Sequence, residues 1–502
     1  MFKPSVYQTN IFNEIEHGKG HVFISAVAGS GKTTTIVECL KLMPKDKDVA
    51  FLAFSNAIVK ELQKRVDNSS IKISTLHSFG FHSLKVKYGS KIKFNDNKML
   101  SKIESVCNKI EGMTDKKKYW YFYVIKKVLD LARLNLIFDR EGLEELCLQH
   151  DILLEEEEFE IVEKVWKKFE KDIFQCDFVD MIYMPAVDDT IRLHKYDYVF
   201  VDESQDLSLA QQEIIKRIVK KGGRLICVGD PRQAIYGFAG ADFNSYERLS
   251  SIYANTKKLP LSVCYRCDRQ IVDLASSIVE EIESHDDAEE GIVREGDLLN
   301  LRSNDWILCR NVKPLVMLNM HLLKQGIKSK VRGKDIGEGL ASMVNKQSTQ
   351  SVKALLVKLD DAYKRLISRL ESKGINKPEK HNRAVLFRQK QELLEVLSEG
   401  IHNTKQLLAR IKDIFSDEIE GILLSTIHKA KGLENDRVFF ICPELIPSKY
   451  ATKPWQIEQE ENLKYVAITR AKKELVIVFE DTFNNNLQQE VKCKKIIKNT
   501  NI

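Results

Sequence analysis

Long hydrophobic runs are missing from this chain: none of its 502 residues lies in an apolar stretch near the length that crosses a membrane. The opening "MFKPSVYQTNIFNEIEHG" likewise lacks the unbroken apolar centre of a secretion signal. An excess of one charge is absent too. The formal balance of +6 permits local nucleic-acid patches without demanding them. The ten cysteines form no repeated framework, so a reducing, cytoplasm-like (or nucleoid-associated) location is expected, with no secretion and no membrane partner. One close pair, Cys264 and Cys267 in "CYRC", has no second pair at matching spacing, which argues against zinc. There is no internal repeat and no low-complexity linker. At this length the chain has room for about two to four domains of ordinary size.

What is present is the balance of a globular protein, 43% hydrophobic and 30% charged. Short β-branched or aromatic runs recur, each ending in a polar turn: "HVFISA", "DVAFLAFS", "YDYVFVD", "RLICVGD", "RVFFI" and "ELVIVF". Longer helical patterns separate them, which predicts an α/β fold with parallel sheets buried on both faces. Two stretches, about 81–185 and 336–418, are helical in pattern and rich in Lys, Glu and Leu. The expectation is two α/β lobes, 1–80 with 186–258 and 259–335 with 419–490. Each carries a helical insertion, 81–185 and 336–418, and a basic tail follows over 491–502.

"SAVAGSGKTTTI" follows the strand "HVFIS" and opens a helix. A phosphate-binding loop reads G-x-x-x-x-G-K-[ST] in that context. Here Ala26 replaces the first glycine, followed by Val27, Ala28, Gly29, Ser30 and Gly31, then Lys32, Thr33 and Thr34. Backbone N–H groups and the helix start favour phosphate, Lys32 would neutralise its β and γ oxygens, and the Thr33 hydroxyl would face Mg²⁺. "YDYVFVDESQD" supplies the acidic half: Asp202 for the Mg²⁺ and Glu203 to orient and deprotonate the attacking water. A bare strand–turn–helix and a solvated acidic turn are the plain alternatives. The two motifs on one chain argue against both.

Further segments occur in order: "AFSNAIVKEL", "STLHSFG", "DFVDM", "VGDPRQAIYGFAGAD", "LPLSVCYRCDRQI", "LLSTIHKAKGLENDRVFFI" and "KYVAITRAKKELVIVF". With the two above, they make the chain resemble a superfamily 1 helicase of the UvrD/Rep/PcrA type. The resemblance implies two RecA-like lobes, ATP and Mg²⁺ as cofactors, and single-stranded and tailed duplex DNA as partners. It implies that Gln8 reads the adenine, Tyr265 stacks on it and Glu434 reaches the ribose. Gln233 would sense the γ-phosphate, while Arg266 and Arg470 would act as arginine fingers brought to the phosphate by cleft closure. Single-stranded DNA would meet Phe54, Asn56, His77, Tyr236, Phe238, Thr426 and His428, combining aromatic faces with polar contacts.

The chain departs from that family in three places. Phe238-Ala239 stands where Trp-Arg is usual, which keeps a stacking ring and loses a guanidinium. Glu461 and Asn462 stand where an arginine pair often leads the last motif. The second insertion, about 80 residues, is short, and no accessory C-terminal module is expected. "DKKKYWYFYVIKKV" interleaves lysines with aromatics, but its apolar spacing favours a packed helix with a basic outer face over a nucleic-acid site. The leading reading is a 3′-to-5′ translocase and helicase, its polarity implied by the resemblance alone. A DNA-stimulated ATPase subunit, with a protein partner for processive unwinding, is the alternative. A binding module with a vestigial loop is opposed by the intact Lys32, Asp202, Glu203, Gln233, Arg266 and Arg470. No separate acidic constellation suggests a fused nuclease.

Overall fold

Successive side chains of a strand point to opposite faces, so a fully apolar run must be covered on both sides. "HVFIS" obeys this: Val22 and Ile24 join one buried cluster with Phe51 and Phe200, while Phe23 joins another with Ala50, Leu52, Val199 and Val201. The computed structural model describes residues 3–494 except 67, 69, 114, 151, 153, 155, 243, 373 and 416–420. It divides after Val263 into two units.

The first unit is built on six parallel strands. These are β1 (His21–Ala26), β2 (Val49–Ala53), β3 (Ile71–Thr75), β4 (Tyr196–Val201), β5 (Val219–Gly229) and β6 (Thr256–Leu261), in the order β3-β2-β4-β5-β1-β6. Helices α1 (Val6–His17), α2 (Lys32–Lys41), α3 (Asn56–Arg65) and α4 (Leu76–Tyr88) accompany its first half. Between β3 and β4 the chain forms α5 (Lys98–Cys107), α6 (Asp115–Leu134), α7 (Arg140–Gln149), α8 (Glu156–Glu170) and α9 (Asp180–Val187) around a core of their own. Two short paired strands, Lys93–Phe94 and Gln175–Cys176, interrupt this otherwise helical stretch. Helices α10 (Leu209–Ile218) and α11 (Ser245–Ile252) complete the unit.

The second unit repeats the plan. After α12 (Arg269–Ser276) come β7 (Ile292–Glu295), β8 (Trp306–Cys309), α13 (Val312–Lys324) and β9 (Ser329–Val331). Helices α14 (Lys334–Asn345), α15 (Val352–Ser372), α16 (Asn382–Leu397) and α17 (Thr404–Ile414) precede β10 (Ile422–Thr426), α18 (Ile427–Ala430) and β11 (Asn435–Ile441). Helix α19 (Pro454–Ile468) and β12 (Ala471–Val478) follow. The sheet order is β7-β12-β11-β8-β10-β9, again all parallel.

The α/β class with two parallel sheets is therefore as the sequence predicts. The first lobe does not end at residue 258, because β6 pairs with β1 as far as Leu261. Its "TKKLPL" sequence, with two lysines and a proline, suits the edge position it occupies and conceals it as a strand. Of the expected tail, 495–502 lie outside the described residues, as does the boundary expected between 418 and 419. Among the described residues, no helix is long and apolar enough to cross a membrane.

Candidate functional site

In a parallel sheet every strand delivers its following turn to the same edge, where ligands of such folds gather. In the first unit, β1 delivers the glycine-rich loop, β4 delivers Asp202 and Glu203, and β5 delivers Asp230 and Gln233. Strands β1 and β5 are neighbours, as are β4 and β5. Gly29 and Gly31 have φ of 70° and 74°, a left-handed backbone that glycine adopts without steric cost. Gly31 thereby caps α2 and leaves Lys32 as its first residue, half-buried beside Thr33 and Thr34. Ala26, Val27 and Ala28 are buried, so the Cβ at position 26 packs into the sheet's core. The Ser30 hydroxyl is buried without a hydrogen-bond partner.

Burial, with Glu203 beside it, raises the Asp202 carboxyl to about 7, while Lys32 works against that rise. Asp230 is raised for the same first reason, again with Lys32 opposing and Glu203 adding to it. Lys32 thus acts on both Asp202 and Asp230, and among the described residues no cluster of three or more His, Cys, Asp or Glu side chains is arranged to hold a metal ion by itself. The Thr33 hydroxyl and Asp202 are the groups that would hold Mg²⁺.

A hydrogen bond joins the turns after β4 and β5, and others brace each of them. Gln205 donates to Glu203 at 2.5 Å, and its amide oxygen accepts the Asp230 backbone N–H at 3.0 Å. Asp230 in turn accepts from the Gln233 amide at 2.7 Å. Gly229 makes room for this bridge, since a Cβ there would stand 2.5 Å from the Gln205 oxygen and 2.7 Å from the Ser204 hydroxyl. The sequence reading gave no role to Gln205 or Asp230. The signal was there in "DESQD" and "GDPRQ": buried amides and acids next to assigned residues.

Gln8 is buried and not a surface residue. Its side-chain oxygen accepts the Ser5 N–H at 3.0 Å, closing a capping box, and its amide donates to Thr35 Oγ1 at 3.0 Å. In this structure it ties α1 to α2.

The same sheet edge carries aromatic side chains. Phe54 follows β2 and Tyr236 follows β5; their rings are 6.4 Å apart and only 8° from parallel. Phe238 meets Tyr236 edge-on at 6.3 Å. Phe54 and Phe238 are each about half exposed, at 50% and 51%, so part of each ring is open to solvent. Exposed Asn56 opens α3 beside them. His77, in the first turn of α4, stacks at 4.0 Å on Phe178, a half-exposed ring the sequence reading passed over within "DFVDM". Burial holds the His77 imidazole down to about 4, so it is neutral and offers a ring face, not a charge.

In the second unit the predicted residues separate. Arg266 donates to Glu434 at 2.5 Å and to the Thr469 carbonyl at 3.2 Å. Arg470, buried, donates to the carbonyls of Val466 and Leu433 at 3.0 and 2.9 Å. Burial and the neighbouring Arg266 press its pKa well below that of a free arginine. An anion arriving there would relieve that strain. Glu434 and Arg470 immediately precede β11 and β12, so this cluster sits at the N-terminal edge of the second sheet. Tyr265 is exposed and stacks on His285 at 5.6 Å. Thr426, the last residue of β10, and His428 just beyond it lie at the opposite edge, where burial, with Arg310 and Lys431 near, lowers the histidine to about 3. Arg310 there is held by Glu460 through bonds of 2.6 to 3.0 Å, another pair the sequence reading did not assign.

Comparison with known proteins agrees with this layout. The family model described as the UvrD/REP helicase N-terminal domain matches residues 7–254, and that of the UvrD-like helicase C-terminal domain matches 340–482. F-box DNA helicase 1 of Gallus gallus is 25% identical across 94% of this chain, which spans 48% of that relative. The ATP-dependent DNA helicase PcrA of Staphylococcus epidermidis is 27% identical over 52% of the chain and 38% of its own length. The ATP-dependent DNA helicase Rep of Buchnera aphidicola is 22% identical and aligns over 93% of the chain and 94% of its own length. Two parallel sheets, a glycine-rich loop after the first strand and matches over both halves lead to one assignment: the chain belongs to the UvrD/REP family of helicases.

Proposed function

We propose that this protein is an ATP-driven motor that moves 3′ to 5′ along single-stranded DNA and separates tailed duplexes. One observation carries the reading. The segment after β5 holds Asp230 and Gln233, bonded through Gln205 to Glu203, and six residues after Asp230 it presents Tyr236 and then Phe238. A change at the phosphate end of that short segment is therefore felt at the stacking rings.

In the proposal, Gly29 to Thr34 and the helix start hold the triphosphate, with Gln8 and Tyr265 toward the base and Glu434 toward the ribose. Glu203 orients the water. Gln233 reports on the γ-phosphate, and Arg266 and Arg470 supply transition-state charge. Bound Mg²⁺ would offset phosphate charge. The DNA strand lies on Phe54, Asn56, His77, Tyr236 and Phe238, and on Thr426 and His428 of the second unit. The 3′-to-5′ direction rests on the likeness of "HKAKGLEND" and "ITRAKKEL" to that branch. The short second insertion, four helices from Lys334 to Ile414, supports the alternative of translocation without processive unwinding unless a protein partner assists.

The test is ATP hydrolysis with and without single-stranded DNA, then unwinding of duplexes with a 3′ or a 5′ tail. Strong stimulation by DNA, a fall of about 10²–10⁴ in kcat for Glu203→Gln, and unwinding from the 3′ tail are expected. Stimulation without unwinding would favour the alternative. Hydrolysis indifferent to DNA would overturn both.

A further inference from the structure

A groove of about 480 Å³ lies in the first unit between α6 and the turn that carries Phe238. It falls within the roughly 300–1,000 Å³ usual for small-molecule sites. Its walls include Phe122, Tyr123, Lys126 and Lys127 of α6, and Phe238 with Ala239 of the turn. The turn is seated firmly on the helix: a Cβ on Gly240 would stand 2.9 Å from Leu134 and 3.3 Å from Leu131. Tyr123, like Phe238, is about half exposed, at 52%. Helix α6 is a packed helix, as its apolar spacing predicts, with Tyr121, Val124, Ile125, Val128 and Leu129 buried. Its remaining face, however, is turned to the stacking row and not simply to solvent.

Ala239 stands where relatives of this type usually carry arginine, so the chain gives up a guanidinium beside its stacking ring. The groove offers two ammonium groups in the same place. Asp130 also faces it and pairs with Lys126 at 2.5 Å, but the buried Arg133 holds that carboxylate as well, also at 2.5 Å. The Lys126–Asp130 pair is partly exposed and readily exchanged for a stronger anion.

We infer that this groove is a further nucleotide subsite for the single strand, in which Lys126 and Lys127 provide the phosphate contact that Ala239 cannot. It rests on the reading of the chain as a single-strand DNA motor. The strand continues from Phe54, Tyr236 and Phe238 onto α6, one base against Tyr123 and Phe238 and its phosphates against the two lysines. A positively charged wall lined with aromatic faces accepts any base, as a motor without sequence preference requires. Continuity with the stacking row and the sign of the charge both select a nucleic-acid strand as the occupant.

The test is binding of a fluorescent oligothymidylate to the full chain over a series of salt concentrations. Lys126→Ala with Lys127→Ala is expected to bind about 5-fold or more weakly, with a salt slope shallower by about 1.4, near 0.7 per lost phosphate contact. DNA-free ATP hydrolysis and the melting temperature should not change. Adding Ala239→Arg to that double variant should restore binding to within about 2-fold, by returning the charge from the other wall. The charge-keeping pair Lys126→Arg with Lys127→Arg should bind as the parent does, which guards against a folding defect. Parent-like affinity and slope in the alanine variant, or no rescue by Ala239→Arg in a folded protein, would overturn the subsite while leaving the motor reading intact. A parent chain that fails to bind oligothymidylate would overturn both.

Discussion

Asp202 is caught between burial and its neighbours. Withdrawn from water and placed beside Glu203, its carboxyl is raised to about 7. Between about pH 4, the ordinary value, and that raised value, the unfolded chain releases a proton that the folded chain keeps. Stability conferred at this position therefore falls as pH rises through the window. Asp202→Asn removes the effect, since an amide carries no charge at any pH. Thermal melts of the nucleotide-free protein at pH 5 and pH 8 should show the variant gaining on the parent as pH increases. An equal difference at both pH values would mean that Asp202 is ionised throughout. At this scale the sequence singles out Lys32 and Glu203 by motif, and the fold brings their turns to the same sheet edge. The sequence does not single out Gln205, whose role comes from lying between two turns that only the sheet brings together.

Among the elements, "DFVDM" gains a role only once it is folded. Asp177 and Asp180 both bind the Nη1 of Arg133 at 2.8 Å, and Lys98 binds Asp180 at 2.8 Å, all of them buried. The network ties α5, α6 and the start of α9 together, and Phe178 sits between its two acids, stacked on His77. Removing one partner of a buried pair leaves the others uncompensated, at a cost of about 3–5 kcal/mol. Arg133→Ala should therefore lower the unfolding free energy by about that amount in chemical denaturation. A loss below about 1 kcal/mol would show that the network contributes little. Of the sheet strands without a run named above, Ile71–Thr75, Trp306–Cys309 and Ile422–Thr426 are five residues or fewer, and two of these three flow straight into helices that carry motifs. Strands with longer apolar runs, such as "YDYVFV" and "ELVIV", stood out because both faces are covered.

Taken as a whole molecule, the chain uses its two sheets differently. In the first unit the glycine-rich loop with its acidic turns and the aromatic set share one edge, joined by the segment from Asp230 to Phe238. In the second unit Arg266, Glu434 and Arg470 occupy one edge of the sheet and Thr426 and His428 the other, with strands of five to eight residues, roughly 17–26 Å, between. The proposed function then gives an asymmetric set of mutant phenotypes. Second-unit variants should separate the two activities. Arg470→Ala should lower kcat for ATP by about 10³-fold or more, the scale of an arginine finger, with oligonucleotide affinity preserved. His428→Ala should weaken DNA binding with DNA-free hydrolysis preserved. Gln233→Ala, in the shared segment of the first unit, should disturb both the rate and the DNA concentration needed to stimulate it. Measuring kcat and half-stimulating DNA concentration for these three variants tests the idea directly. If Gln233→Ala changed only one quantity, the hydrogen-bonded segment after β5 would not be the link between nucleotide and strand, and coupling would have to run through the second unit.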